Sequence, residues 1–299
     1  MIRSHAFSRS QLSAAIIALL SPGLSTAAQI DWTTGTGFWD ISGNWSSSPA
    51  LPGATDDVIV NVTGTQTVTV RSTGGAQTVN SINVNGGDET LVINSGSLTL
   101  NGVATANNAS GASTVSRFTQ TFGTLNGAGN LTVNGAATLG GNLEGSGSLI
   151  TQGTTSINSS LMLDGGRIWQ NDGTATKTVL GSFNLNGGNS GANTNNAGRI
   201  INNGLFDLQN DGGTTWSNTQ GGTGVIDNAS GGTFRKSGGI SNSNILATFN
   251  NAGTVKAQSG TLSLSAGGTH SGDFEVASGA TLQFGGGTHD LNGGSMTAE

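Results

Sequence analysis

The chain has 299 residues, no cysteine, 51 glycines and a formal net charge of −6. Mild acidity without a basic cluster argues against nucleic acid and anionic lipid as partners, and without thiols no disulfide can hold the fold. Glycine far above its usual share of about 7%, with charged residues at only 9%, excludes an average globular domain, while recurrent β-branched runs exclude a disordered one.

Residues 1–28 read as a secretory signal peptide. Arg3 and Arg9 form a positive start, Leu12 to Leu20 is apolar, Ser21, Pro22 and Gly23 break it, and Thr26, Ala27 and Ala28 offer a small-residue cleavage site before Gln29. The apolar run is shorter than the roughly 20 residues that span a bilayer. No second such stretch follows, so no transmembrane segment is expected in the mature chain. Residues 29–57 differ from all that follows: they hold Trp32, Phe38, Trp39 and Trp45, with Pro49 and Pro52. An open solenoid end exposes unpaired strand edges. This segment is therefore expected to be an aromatic N-terminal cap, with Trp32, Trp39 and Trp45 plugging the first coil.

Residues 58–299 carry short runs of period-two alternation bounded by Gly or Asn. They begin with the run from Asp57 to Val62 and continue in Gln66–Val70, Thr90–Asn94, Ser97–Asn101, Asn130–Asn134, Gly204–Leu208, Gly260–Leu264 and Ala280–Phe284. Alternation puts Val, Ile or Leu on one face and Thr, Ser or Asn on the other, and Asn-Gly, Gly-Gly and Ser-Gly supply corners that accept positive φ. The run from Gly267 to His270 recurs from Gly286 to His289, and Phe249–Gly260 echoes Ile201–Gly212. Units near 20 residues imply stacked coils. The fold class is thus all-β, a right-handed parallel β-helix (β-solenoid). At about 4.8 Å per coil, some 13 coils would make a rod of about 60 Å. The interior is expected to favour Val, Ile, Leu and Ala over large aromatics, and stacked Asn to form hydrogen-bonded ladders. The repeats run almost to Glu299 without a second cap, so the array is expected to continue, to dock on something, or to have been cut short.

A family resemblance rests on Gly37–Asp40 (Gly-Phe-Trp-Asp), Gly43–Ser46 (Gly-Asn-Trp-Ser), Leu51–Gly53 and Asp56–Val60, with the later repeat units. Together these resemble large bacterial surface proteins of autotransporter-type or haemagglutinin-like β-strand repeats. The resemblance implies a secreted or surface-displayed β-helix of a Gram-negative-type bacterium, an adhesin or structural element. The chain departs from the pattern in showing neither a C-terminal β-barrel nor an apolar sorting tail.

The chemistry-bearing residues are sparse. Asp273 and Glu275 share one strand face at about 7 Å, within the separation used in glycoside hydrolysis, but no basic or aromatic platform accompanies them and a solvated face is expected. Asp56 and Asp57 read as a turn into a strand. His270 and His289 sit at equivalent repeat positions without a third ligand, which favours a repeated surface corner over a metal site. The single Gly86–Ile93 stretch resembles one calcium-binding nonapeptide but lacks the successive turns such sites need. Trp169 and Trp216 lie within the repeats, and exposed indoles would be the candidates for glycan contact; packing under a loop is the alternative. The expectation is a non-enzymatic adhesive, biofilm or envelope-structural solenoid with no catalytic residues, metal or cofactor. Its expected partners are surface glycans or other envelope components, and its oligomeric state is open. The rivals are a polysaccharide-acting β-helix enzyme and a carbohydrate-binding β-sandwich module, the latter requiring antiparallel hairpins.

Overall fold

A computed structural model describes residues 27–103, 107–179, 181–185, 196–211, 216–217 (backbone) and 224–299. Residues 1–26, which carry most of the signal-peptide reading, lie outside the described residues. The described chain is a parallel β-helix with three faces per coil. The first face is a 12-stranded sheet that begins with Gln29–Asp31, Asp57–Val60 and Ser81–Val84 and ends with His289–Leu291. The second begins with Gly37–Phe38, Thr67–Arg71 and Thr90–Asn94 and ends with Met296–Ala298. The third begins with Ala76–Val79, Ser97–Leu100 and Gly123–Asn126 and ends with Thr281–Phe284. Strands pair in parallel on each face, and antiparallel contacts are isolated bridges such as Trp32 with Trp45. That pairing rules out the hairpin-built sandwich.

The alternation seen in the sequence sets the interior. In Asp57–Val60, Val58 and Val60 point inward with no exposure, and their partners Ile82 and Val84 do the same one rung on. Partners on the first face lie from 18 residues apart, as Leu131 and Leu149, to 31, as Asn171 and Asn202. The coils are therefore less uniform than the expected 20 residues, because the corner loops vary while the strands keep register. Twelve rungs make a rod of about 53 Å. Positive-φ glycines Gly127, Gly145 and Gly165 repeat at one corner. A Cβ on Gly145 would lie 2.5 Å from the Gly127 carbonyl oxygen, so that corner closes only without side chains.

One inward column shows how residue type tracks the stack. Val60, Val84, Val115 and Val133 are followed in register by Thr151 and then by Asn171, Asn202, Asn228 and Asn251. The four asparagines form the anticipated ladder: each Nδ2 of the first three donates to the Oδ1 of the next at 2.8 Å. Further bonds run from Nδ2 of Asn171, Asn202 and Asn228 to the carbonyls of Leu205, Thr233 and Thr254 at 3.0 to 3.1 Å, so the buried amides are satisfied.

The cap is aromatic, as the segment's composition indicated. Trp32, Trp39 and Trp45 are all buried, with ring centroids 4.7 Å apart in edge-on contacts from Trp45 to each of the others. Trp45 Nε1 donates to the Trp39 carbonyl at 2.8 Å, fixing the ring inside the end of the rod. The expectation that the interior would shun large aromatics fails. Trp169, Phe183, Phe206, Phe234 and Phe249 are fully buried, and successive pairs from Trp169–Phe206 to Phe234–Phe249 stand 5.0 to 5.6 Å apart. They fit because the opposing column is small there: Ala137, Thr155 and Ala175 precede Phe206 in register.

Candidate functional site

The corner between the second and third faces supplies the site. Within Arg117–Thr121, alternation sends Phe118 and Gln120 inward. Phe122 comes next, and instead of extending the strand it adopts φ +53, turning the chain and leaving its ring 72% exposed. An L-residue in this left-handed region costs about 1–2 kcal/mol. The register places Ser95, itself at φ +57, beside it on one rung and Gly140 and Gly141 on the next. Small neighbours on either side leave both faces of the ring open.

The adjoining rung deepens this corner. Leu139 pairs with Ile157 but Gly141 pairs with Leu161, so the strand Thr154–Leu163 carries extra residues here. Asn158, Ser159 and Ser160 bulge outward as a result, and Ser160 Oγ accepts the Ser182 N–H at 3.2 Å, tying the bulge to the next coil. With Asn142, Ser182 and Asn184 they line a groove of about 600 Å³ against Phe122, to which Met162 adds an apolar strip. A second groove of about 290 Å³, lined by Ser72, Ser95, Ser97 and Thr124, also ends at Phe122. The side-chain amides of Asn142 and Asn158 bond to no other described residue and stand free for a ligand.

Charge is absent from this whole face. Among the described strands of the third face no Asp, Glu, Lys, Arg or His occurs. The ionic residues are instead spent elsewhere. On the second face Asp207, Arg235, Lys256 and Glu275 occupy one register column, with Asp207–Arg235 and Lys256–Glu275 contacts of 2.8 and 2.7 Å. Three cations lie inside the rod. Arg167 donates to the Glu144 and Gly127 carbonyls, and burial lowers its pKa to about 10. Burial likewise lowers Lys177 to about 8, where its Nζ donates to the Val179 carbonyl at 2.7 Å. Lys236, lowered by burial against the opposing pull of Asp211, donates to the Gly238 carbonyl at 2.7 Å. Each satisfies corner carbonyls that the coil cannot pair.

The residues singled out from the sequence fall in several places. Trp169 is fully buried and its Nε1 donates to Thr151 Oγ1 at 3.1 Å, so it is a core residue and presents no ring to a glycan. The slim-core argument misplaced it, since Ala175 opposite makes room. Trp216 lies in a short strand whose backbone pairs with Phe183, and its side chain is outside the described residues. His270 is not a surface corner: it is buried, its Nε2 lies 2.9 Å from His289 Nδ1, and burial together with His289 lowers its pKa to about 4. The register pairs His289 with Gly268, two residues away from the alignment that the sequence repeat suggests. Asp273 accepts the Ser295 N–H and hydroxyl, each at 2.8 Å, and Glu275 pairs with Lys256. Asp56 accepts the Gly53 N–H in a turn, and Asp57 opens a strand and accepts from Ser81 and Asn80. Near Gly86, Glu89 turns inward and Asp88 pairs with Arg117. Among the described residues no group of three or more His, Cys, Asp or Glu is placed to hold a metal, and no helix is long and apolar enough to cross a membrane.

Sequence reasoning passed over Phe122. The available signal was the Phe-Gly junction at the end of an alternating run, where a corner breaks the parity. No protein-family model, curated protein or solved structure matches this chain, so its own residues carry the functional reading.

Proposed function

We propose that this protein is an exported, non-enzymatic β-solenoid that adheres to envelope or matrix material through its third face. One observation carries the reading. A continuous face without ionic groups bears an exposed aromatic ring, held in a strained backbone and flanked by grooves of hydroxyls and amides. Strain of this kind persists where the surroundings fix it and marks functional positions. Many weak contacts along a repetitive flank add up through multivalency. The resemblance to autotransporter-type and haemagglutinin-like repeat proteins points the same way, as does the leader-like segment that ends at Ala28.

A charge-free contact face makes a specific demand on the adhesion. Beads coated with the mature chain should hold to envelope and matrix fractions of the producing cells equally well at low and at high salt, because no ion pair is there to be screened. Thr124→Glu on the third face should release them, whereas Thr132→Glu on the first face should not. Release by salt alone, or equal loss with both variants, would remove the third face from the mechanism. Export has its own test: the protein recovered outside the cytoplasm should begin at Gln29.

A further inference from the structure

We propose that the Phe122 corner binds a neutral polysaccharide laid along the rod axis; this rests on the adhesive reading above and names its ligand. The chemistry of the lining selects that class. An exposed phenyl ring offers an apolar platform for the C–H face of a pyranose, as buried and half-buried aromatic faces do for other flat partners. Asn142 and Asn158 present uncommitted amides on one side of it, and each amide both donates and accepts, which is what a ring hydroxyl requires. Ser95, Ser97 and Thr124 supply hydroxyls on the other side. Neither groove is lined by a cation or a carboxylate, so a uronate or sulfated chain would lose its hydration with no charge to meet it.

The shape selects a chain over a single sugar. The grooves meet at Phe122 and cross the rungs that carry Ser72, Ser95, Phe122, Asn142, Asn158 and Ser182 in succession. At about 4.8 Å per rung, that run is about 24 Å long, the reach of several linked pyranose units with the ring near its middle. A central aromatic anchor with polar flanks is the arrangement that concentrates binding energy. A protein partner would instead be expected to seat on a larger apolar patch, and the ring here stands among amides and hydroxyls.

The test uses the mature chain in native affinity electrophoresis through gels containing hydroxyethyl cellulose, dextran, soluble xylan or mannan, with alginate and polygalacturonate as anionic comparators. Retardation is expected in at least one neutral gel and not in the anionic ones. Titration with oligosaccharides of the retarding polymer should tighten with chain length and level off at about five units, the run divided by the rung spacing. Phe122→Gly should weaken binding about tenfold, the loss of one good aromatic contact, while its thermal melting confirms folding. Asn142→Ala should weaken it less. Unretarded migration in every neutral gel, retardation by anionic polymers alone, or neutral binding unchanged in Phe122→Gly would overturn the proposal. If bead adhesion persists while every neutral gel leaves the protein unretarded, the ligand class fails and the adhesive reading stands, with a protein partner indicated. If neutral polymers bind but beads do not adhere, the site stands and the adhesive role falls.

Discussion

Phe122 and His270 show how much a single residue's setting decides. Phe122 occupies a backbone conformation suited to glycine, so its fold cost and its proposed role should separate. Phe122→Gly is expected to melt no lower than the parent, because relief of about 1–2 kcal/mol of left-handed strain offsets the extra chain entropy of glycine. Phe122→Val, β-branched at the same φ, should melt several degrees lower; matching melts for the two variants would show that the strain is not real. His270 is buried beside His289, with Phe274 and Phe284 rings packed against it and Asp290 as the opposing charge. Its folded pKa of about 4 lies below the usual histidine value near 6.5. The unfolded chain therefore takes up the proton first. The stabilisation is complete above pH 6.5 and is lost as pH falls toward 4. Hydrogen exchange should show the coils from Gly268 to Ala298 opening over that window while the N-terminal coils stay protected. Uniform protection down to pH 4 would contradict it.

At the scale of the element, the asparagine ladder is the clearest case of one coil completing another. Asn202 accepts from Asn171 and donates to Asn228 Oδ1 and to the Thr233 carbonyl, all within the rod. Asn202→Ala would leave buried acceptors without partners and should cost about 2–4 kcal/mol in chemical denaturation. An exposed asparagine such as Asn158 should change stability by well under 1 kcal/mol when replaced by Ala. Equal costs would mean that the ladder adds no more than surface amides do. The ladder was legible in the sequence because Asn recurs at strand ends beside Gly. The aromatic stack was not, because Phe206, Phe234 and Trp169 fit only where Ala137, Thr155 and Ala175 yield space on the opposing strand. A low aromatic share describes the whole chain and is silent about which coil has room.

The whole molecule is a quasi-one-dimensional stack whose rungs stabilise their neighbours. Its N-terminal end is closed by interlocked indoles, which sit over strands that would otherwise present open edges. Trp45→Ala removes the ring that touches both Trp32 and Trp39 and should cost about 3–5 kcal/mol locally. The expected result is lost exchange protection from Ile30 to Val84 with the asparagine-ladder coils unchanged; an all-or-none melt of the entire rod would show that the coils are more tightly coupled than a stack of neighbours.

By itself, the sequence determined the strands, the parallel coil and the cap, for a physical reason. Period-two alternation with Gly and Asn corners leaves stacking as the only way to bury the apolar face, and three tryptophans in a non-repeating segment have no other place to go. Tertiary structure alone decided where the corner residues point. Alternation assigns sides within a strand, but at a corner φ changes sign and parity is broken, so Phe122 turns out to solvent. Register is likewise a property of neighbouring coils, with loops of unequal length between them. That is why Trp169 and His270 went inside, and why the ionic residues gathered on two faces and left the third without charge.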